Sequence, residues 1–268
     1  MLYSNRVVVY ADILGWSSET NSIENQKPIQ AVKKIHERAQ LFNAKTRAEE
    51  RDELARLLAL PGFTPVGPTN PEAREIQFGA FSDNVVFSCD PFMIRSTIDI
   101  VAGLVIELLH QGFLVRGAVG LGPLHHMDNI IVGPALNAVV KAEQKEAMFP
   151  RLLVSDDVAS LYVRGSEPPL KGSSIILDQL GRHVVNPFCL RFEETGAEQP
   201  LLENFEATYF GLQSIRTEIE SKIQVLQSSG DQHNAEKWQY MFNFIDGPVL
   251  SAAPALGRFW NSVSIALK

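Results

Sequence analysis

An apolar segment that ends in an aspartate constrains the fold of this chain more than any other feature. Arg6–Trp16 reads RVVVYADILGW, and its run of Val and Tyr without polar alternation predicts a strand that is buried on both faces. A carboxylate at the end of such a strand is too costly to bury alone, so Asp12 must be hydrogen-bonded, paired with a charge or bound to a metal. Asp12 could also cap the turn that follows the strand.

A second aspartate lies at a predicted hairpin turn. Ser82-Asp83-Asn84 separates the strand-like runs QFGAF and VVFSC, as hairpin loops do. Alone, Asp83 would be an ordinary turn residue. Together, Asp12 and Asp83 match the preference of Mg²⁺ for one or two protein carboxylates combined with water and substrate phosphates. The sequence therefore predicts a divalent-metal site supplied by two strand ends.

Composition limits the class of protein. The 268 residues, 45% hydrophobic and 21% charged, suit a globular chain with one good-sized domain plus an addition, or with two small domains. The apolar stretch Ile98–Leu109 is too short to span a membrane and contains two acidic residues. We expect no export signal in MLYSNR and reduced core thiols at Cys89 and Cys189, so we predict a cytoplasmic protein without membrane contact.

The charge limits the partners. A net charge of −7 argues against direct nucleic-acid binding, which needs a basic surface that releases counterions. A small anionic ligand could still bind through local Arg or Lys residues or through a metal.

The rest of the chain alternates between helical and strand patterns. Helical spacing begins at Pro28 and could continue to Leu60, where the loop Pro61–Pro71 follows; it returns after Pro91, after Pro134 and from Asn204 onward, before a last segment around Phe259-Trp260. Strand patterns cover Phe113–Gly122, Leu124–Val132, Arg151–Ser155 and a final hairpin of 175–177 with 183–185.

Several polar residues stand out within these elements. Arg116 lies in an otherwise apolar strand, where it could be ion-paired or extend its charge past the strand. Asn137 and Lys141 are four residues apart in a predicted helix and therefore share one face. Because Asn is a poor helix former, its position suggests a defined partner for its side chain. The adjacent His125 and His126, expected in a loop, are a poor pair for one metal because neighbouring strand side chains point to opposite sides.

Four motifs in this order resemble the class III nucleotidyl cyclase domain: ADILGW, FSDNVVFS, VRGAVGLGP and VGPALNAVVKAE. The resemblance covers roughly Val7–Phe192. It implies an α+β fold with a ferredoxin-like, mostly antiparallel sheet and helices packed on it, in which two copies pair head to tail and form active sites between them. We therefore expect a catalytic domain at 1–193 and a helical C-terminal extension at 194–268 that packs on the domain or the dimer.

The resemblance implies a role for each end of the central strands. Asp12 and Asp83 would hold two Mg²⁺ or Mn²⁺ ions, with the carbonyl of Ile13 as a further ligand. The turn Leu14-Gly15-Trp16 would offer backbone N–H groups to the triphosphate, and Arg116 would contact a phosphate.

The helix that follows would complete the site from the partner subunit. Asn137 would orient the ribose, and Lys141 occupies the position where the family usually has a transition-state arginine. Lysine keeps the charge but lacks the planar pair of donors, so it can neutralise a developing oxyanion with less geometric control.

Two positions bear on the choice of base. Purine-using relatives carry Lys or Glu four residues before the second metal aspartate, where this chain has Gly79. They commonly carry Asp or Cys seven residues before the helix asparagine, where this chain has Ile130. A site that reads a purine edge would keep these hydrogen-bonding groups, so their absence indicates a pyrimidine substrate.

The overall set of residues resembles the stand-alone pyrimidine cyclases of Pycsar anti-phage systems, in which cyclic UMP or cyclic CMP switches on a separate effector. This predicts a homodimeric cyclase of UTP or CTP, with UTP favoured by family frequency. Two alternatives remain open: an adenylyl or guanylyl cyclase with an unusual base pocket, or a cyclase-like module that binds nucleotides without catalysis. Lys141 and the missing base readers motivate the second alternative.

Overall fold

The computed structural model describes residues 3–16, 76–127, 130–164, 174–178, 180–188 and 202–245, together with residue 20 and parts of the segment 26–44. In the segment 202–245, side chains are described from residue 213 onward. The helix predicted beyond residue 44, the loop Pro61–Pro71, Cys189 and the final segment around Phe259-Trp260 lie outside the described residues.

Eight strands in the described part of the chain form the sheet: β1 (Ser4–Leu14), β2 (Gln77–Phe81), β3 (Asn84–Cys89), β4 (Leu114–Met127), β5 (Ile130–Val132), β6 (Leu152–Val154), β7 (Ile175–Leu177) and β8 (His183–Val185). They follow the order β2-β3-β1-β4-β6-β8-β7, and β5 pairs with β4 outside this row. Strand β4 runs parallel to β6, whereas the other described pairs are antiparallel. The fold is therefore α+β with a mostly antiparallel sheet, as the sequence predicts.

The described part of the chain contains the helices α1 (Ile94–His110), α2 (Pro134–Glu146), α3 (Asp156–Arg164), α4 (Leu202–Ser228) and α5 (232–245). The apolar spacing predicts α1, α2 and the helical region from Asn204 onward, but it does not predict α3. The described residues between 27 and 44 are also helical. Helix α1 ends at His110, and Gly112 takes a left-handed φ of 84° just after it, as glycines that end helices do. Among the described residues, no helix combines the length and the apolar character that crossing a membrane requires.

Strand β1 is the centre of the sheet. It pairs along its length with β4 on one side and with β3 on the other. Val7, Val8 and Val9 are consecutive and fully buried, although neighbouring residues of a strand face opposite sides. The prediction of a strand buried on both faces is therefore confirmed, and its polar end is held rigidly.

Strand β4 differs from its prediction. The sequence suggested two strands separated near Gly122, with His125 and His126 in a loop, but one strand continues to Met127. Its first part pairs with β1 and its last three residues, from His125, pair with β5. Gly122 does not lie in a turn, because it pairs with Arg6 of β1. A Cβ at this position would be in ordinary contact with the Cβ of Ala135 in α2, at 3.4 Å.

The chain divides into two compact units. The first comprises 1–167 and 175–185, and it contains the whole sheet with α1 to α3. The second comprises 168–174 and 186–268 and contains α4 and α5. Within the second unit, Ile215, Ile219 and Ile223 of α4 are buried, and the guanidinium of Arg216 lies 4.6 Å from the ring centroid of Phe242. The domain boundary expected at 193/194 stays a prediction.

Candidate active site

The end of β1 joins the two predicted metal aspartates. Asp12 is paired with Asn84 of β3 on one side and with Arg116 of β4 on the other. The next residue, Ile13, donates its backbone N–H to the carbonyl oxygen of Asp83 at 2.8 Å. The strand end and the β2–β3 turn are therefore fixed to each other, which brings Asp12 and Asp83 into one region.

The turn that carries Asp83 has an unusual backbone. Phe81 pairs with Asn84, so Ser82 and Asp83 form a two-residue hairpin turn. Ser82 adopts a φ of 55°, in the left-handed region that the first central position of such turns requires and that residues other than glycine rarely adopt. The predicted hairpin is confirmed, and its turn holds the Asp83 backbone in a defined geometry.

A tyrosine and an asparagine hold the side chain of Asp83. The hydroxyl of Tyr10 donates to Oδ1 of Asn84, and Nδ2 of Asn84 donates to Oδ1 of Asp83 at 2.8 Å. Burial raises the pKa of Tyr10 to about 12, with further contributions from the nearby carboxylates of Glu143, Asp12 and Asp83. The phenol therefore stays a donor, and the region around it is negatively charged.

Arg116 lies between two carboxylates. Its Nη2 is 2.9 Å from Oδ2 of Asp12, and its Nε is 2.5 Å from Oε1 of Glu143. The Nε and Oε1 atoms are both buried, and neither has an aligned hydrogen-bond partner among the described residues. Arg116 and Glu143 therefore attract each other as opposite charges, and of the two alternatives for Arg116 the structure shows the ion-paired one, with two partners.

Sequence reasoning missed Glu143. Helix α2 buries Ala135, Val139 and Glu143, which recur every four residues and form the face that packs against the sheet. Glu143 is 3% exposed, and burial raises its pKa above the usual range while the charge of Arg116 opposes the rise. An acidic residue on the apolar face of a predicted helix is the signal that could have identified it.

The two helix residues predicted to act on the substrate lie on the other face of α2. Asn137 and Lys141 are both exposed. They are separated from Val139 by two residues, which corresponds to roughly 200° around a helix. The structure therefore does not bring them to Asp12 within one chain, and their predicted role from a partner subunit stays a prediction.

Of the two positions predicted to bear on the choice of base, Gly79 is covered by the neighbour of the other one. Gly79 is in β2, and a Cβ added there would lie 2.6 Å from Cδ1 of Ile131 and 3.8 Å from Nε2 of His126. Ile130 is 56% exposed. The side chain that covers Gly79 is therefore that of Ile131, the residue after the predicted one.

A glycine with a left-handed backbone forms the turn after β1. Leu14 is the last strand residue, and Gly15 follows with a φ of 85°. No atom lies within 4 Å of a Cβ placed on Gly15, so the glycine is required for its backbone angle and not for space. The Trp16 ring lies 5.9 Å from the Phe113 ring, centroid to centroid, and holds the turn from one side. Contact of these N–H groups with phosphate stays a prediction.

The donors near Asp12 fit a hard divalent cation. Among the described residues, no group of three or more His, Cys, Asp and Glu side chains could hold a metal. Two carboxylates at Asp12 and Asp83 with the Ile13 carbonyl are an all-oxygen set, which suits Mg²⁺ or Mn²⁺ that is also bound by substrate phosphates. The pairing of Asp12 with Asn84 and the hydrogen bond from Ile13 to the Asp83 carbonyl place these donors in the same region.

No family model and no curated protein matches this chain. Similar solved structures include the monomeric guanylyl cyclase domain of the RhoGC fusion protein from the aquatic fungus Blastocladiella emersonii, at 12% identity over 68% of this chain and 95% of that chain, with a TM-score of 0.42. An adenylate/guanylate cyclase/hydrolase from Silicibacter pomeroyi is 14% identical over 68% of this chain and 94% of that chain, with a TM-score of 0.34.

A bacterial light-regulated adenylyl cyclase is 13% identical over 76% of this chain and 56% of that chain, with a TM-score of 0.40. These TM-scores are all below 0.5, so the similarities carry no argument about this chain. A function has to be argued from its own residues.

Proposed function

We propose that this chain is a nucleotide cyclase that converts a pyrimidine nucleoside triphosphate, UTP or CTP, into its 3′,5′-cyclic monophosphate and pyrophosphate. The observation that carries the proposal is the meeting of Asp12, Asp83 and Arg116 at one end of the sheet. Phosphoryl transfer needs little covalent help from a protein, and its catalysis is mostly positioning and charge stabilisation. Two carboxylates and one cation, held by two paired strands and a hairpin turn, meet that need.

In the proposed reaction, the ribose 3′-hydroxyl loses its proton and its oxygen forms a bond to the α-phosphorus. The bond from the α-phosphorus to the oxygen that bridges to the β-phosphate breaks, and pyrophosphate leaves with both electrons of that bond. Asp12, Asp83 and the Ile13 carbonyl would hold two Mg²⁺ or Mn²⁺ ions, which would supply charge stabilisation at the entering and leaving oxygens. No protein nucleophile is required.

Arg116 binds a phosphate in this proposal, and Glu143 keeps its guanidinium in place. Contact of Arg116 with both Asp12 and Glu143 fixes the guanidinium at two of its nitrogens. Preorganised donors of this kind are worth about 3–4 kcal/mol each in typical enzymes. The backbone N–H groups of Leu14, Gly15 and Trp16 bind the remaining phosphate oxygens.

The active form is a homodimer with composite sites. Asn137 and Lys141 are exposed and face away from Asp12, which supports their use by a second copy. Asn137 then orients the ribose, and Lys141 neutralises charge that develops on the transferring phosphorus group. We also propose that 1–193 forms the catalytic domain and that the helices of 194–268 pack on it or extend the dimer.

The base is a pyrimidine, and its cyclic nucleotide is an anti-phage second messenger that acts on a separate effector. Gly79 offers no hydrogen-bonding side chain, and Cδ1 of Ile131 occupies the space that a larger residue would use. This supports a smaller base. The signalling role rests on the resemblance of the site residues to Pycsar pyrimidine cyclases.

The test is incubation of the purified chain with each of the four nucleoside triphosphates and Mn²⁺, followed by identification of products by mass spectrometry. We expect a cyclic pyrimidine nucleotide and pyrophosphate. Asp83→Ala should abolish the product while the dimer remains folded, and Glu220→Ala, which removes an exposed carboxylate from α4, should not. Turnover of ATP or GTP alone would contradict the pyrimidine substrate, and activity of Asp83→Ala would contradict the metal assignment.

A second candidate is a module that binds nucleotides without catalysis. The pairing of Asp12 with Arg116 and the lysine at position 141 favour it. Tight binding of a triphosphate without release of pyrophosphate would support this candidate, and any cyclic product would exclude it. A purine cyclase with an unusual pocket is distinguished by the same four-nucleotide assay.

A further inference from the structure

A buried polar chain ends beside Gly79. Nε of Arg6 donates to Oγ of Ser88 at 2.9 Å, and Nη2 of the same guanidinium donates to the Ser88 carbonyl at 3.1 Å. Oγ of Ser88 lies 2.8 Å from Nδ1 of His126. The far side of the imidazole, Nε2, is the atom 3.8 Å from a Cβ placed on Gly79. Arg6, Ser88 and His126 are each 7% exposed or less.

The polar side chains of Arg6, Ser88 and His126 lie on the same sheet face as the candidate active site. Residues that pair directly across strands project to the same face. Gly79 pairs with Val86, which pairs with Tyr10, and Tyr10 is two residues from Asp12 on β1. At about 3.3 Å per residue, the row that contains Gly79 is therefore roughly 7 Å along the strands from the row that contains Asp12. A nucleotide with its phosphates at Asp12 can place its base near Gly79.

The hydrogen bonds determine which nitrogen of His126 carries the proton. Ser88 is fully buried, and its hydroxyl accepts from Arg6. Within the described part of the chain, Nδ1 of His126 is the remaining group that can accept the hydroxyl proton. A proton on Nδ1 would leave the buried Ser88 hydroxyl without an acceptor, which is unfavourable. The proton of a neutral His126 therefore lies on Nε2.

His126 is neutral at physiological pH. Burial and the nearby charges of Arg6 and His125 lower its pKa to about 4. Among the described residues, Nε2 has no hydrogen-bond partner of its own. Arg6 and Ser88 thus hold one N–H donor that points toward Gly79 and Ile131.

We propose that His126 reads the base through this Nε2–H donor and selects uracil over cytosine, an inference that rests on the proposed cyclase function. In a pyrimidine nucleotide, C4 lies opposite the sugar-bearing N1, so a buried group at the inner end of the base site meets the 4-substituent. Uracil carries a carbonyl oxygen there and accepts the hydrogen bond. Cytosine carries an amino group, and two donors would face each other. UTP is therefore preferred over CTP.

The test compares kcat/KM for UTP and for CTP in the full chain with Mn²⁺. The wild type should prefer UTP. His126→Phe removes the donor but keeps a ring, and Ser88→Ala removes the group that fixes the tautomer. Each should lower the UTP to CTP ratio by roughly threefold to tenfold, the factor that corresponds to one uncharged hydrogen bond. His125→Phe, the same change at the neighbouring position on the opposite side of β4, should leave the ratio unchanged.

Two further measurements separate this inference from the proposed function. Long-range ¹H–¹⁵N spectra of the full chain at pH 7 should show a protonated Nε2 at His126, and this preference should be lost in Ser88→Ala. A protonated Nδ1, or cyclisation with CTP preferred over UTP, would overturn the role of His126 while leaving the cyclase proposal intact. If no triphosphate is cyclised, the cyclase proposal fails. The affinities for UTP and CTP are then measured by calorimetry in the wild type and in His126→Phe. A ratio of UTP to CTP affinity that is equal in both proteins would overturn the role of His126 as well.

Discussion

Replacing Glu143 with glutamine removes one negative charge beside Arg116 and keeps the size of the side chain. Glu143 holds Nε of the guanidinium at 2.5 Å, while Asp12 holds Nη2 at 2.9 Å. In Glu143→Gln, Asp12 becomes the only carboxylate on Arg116 among the described residues. We expect a less stable chain and weaker binding of a divalent cation, because Arg116 then competes more strongly for Asp12.

The size of both effects follows from the burial of the pair. Two unit charges about 4 Å apart attract by roughly 4 kcal/mol at an effective dielectric constant of 20. The side chain of Glu143 is 3% exposed, but that of Arg116 is 32% exposed and keeps Asp12 as a partner. The loss should therefore lie between that of a surface pair and that of a fully buried one, at about 1–3 kcal/mol. For the cation, we expect affinity to fall roughly threefold to tenfold, or about 0.6–1.4 kcal/mol.

Urea unfolding followed by tryptophan fluorescence measures the first effect, and Mn²⁺ titration followed by electron paramagnetic resonance measures the second. Glu146→Gln is the matched control, because it removes an exposed carboxylate from the same helix, and the surface ion pair that it breaks with Arg182 should contribute at most about 1 kcal/mol. If Glu143→Gln and Glu146→Gln have the same free energy of unfolding and the same Mn²⁺ affinity, Glu143 does not position Arg116. A positioning role also predicts that KM for the triphosphate rises more than kcat falls.

Three more predictions test other parts of the structure. The pKa of His126 is about 4 in the folded chain and about 6.5 for an unperturbed histidine, so the unfolded chain binds more protons between these pH values. The free energy of unfolding, measured in urea, should therefore fall by up to about 3 kcal/mol from pH 6.5 to pH 4. The fall should be smaller in His126→Phe. Gly120→Val should destabilise the chain by about 1–3 kcal/mol in the same assay, since a Cβ there would lie 2.8 Å from Cγ1 of Val139; an unchanged midpoint would show that α2 moves freely. Mixing inactive Asn137→Ala with inactive Asp83→Ala should restore part of the cyclase activity if each site uses both subunits, whereas no recovery in mixed dimers would contradict composite sites.

Local sequence patterns predicted the parts of the site that lie at strand ends. An unbroken Val-rich run before Asp12 predicts a strand buried on both faces, and the alternation around Ser82-Asp83 predicts a hairpin turn. These features depend on neighbouring residues alone. The hydrogen bond from Ile13 to the Asp83 carbonyl joins them, but it depends on strand pairing that no short pattern contains.

Long-range contacts explain what the sequence did not predict. Gly122 and Pro123 suggested a turn, but pairing with β1 continues through them to Leu124. The contact between Ser88 and His126 spans 38 residues, so His126 could be weighed only as a metal ligand beside His125. The role of a histidine is inferred from its hydrogen-bond partners, and the fold determines which residues those partners are.

Arg116 is paired with two carboxylates in the proposed site, so it would keep one partner when the other binds a cation. Without a cation, Arg116 offsets part of the charge on Asp12 and Glu143, which lowers the repulsion that would otherwise destabilise the end of β1. If a cation bound Asp12, the guanidinium would keep Glu143 as its buried partner, and its Nη2 would become available to a phosphate oxygen. An arginine with Asp12 alone would lose its anchor at the moment when a phosphate needs to be positioned. The buried position of Glu143 on α2 therefore has a physical reason in this site.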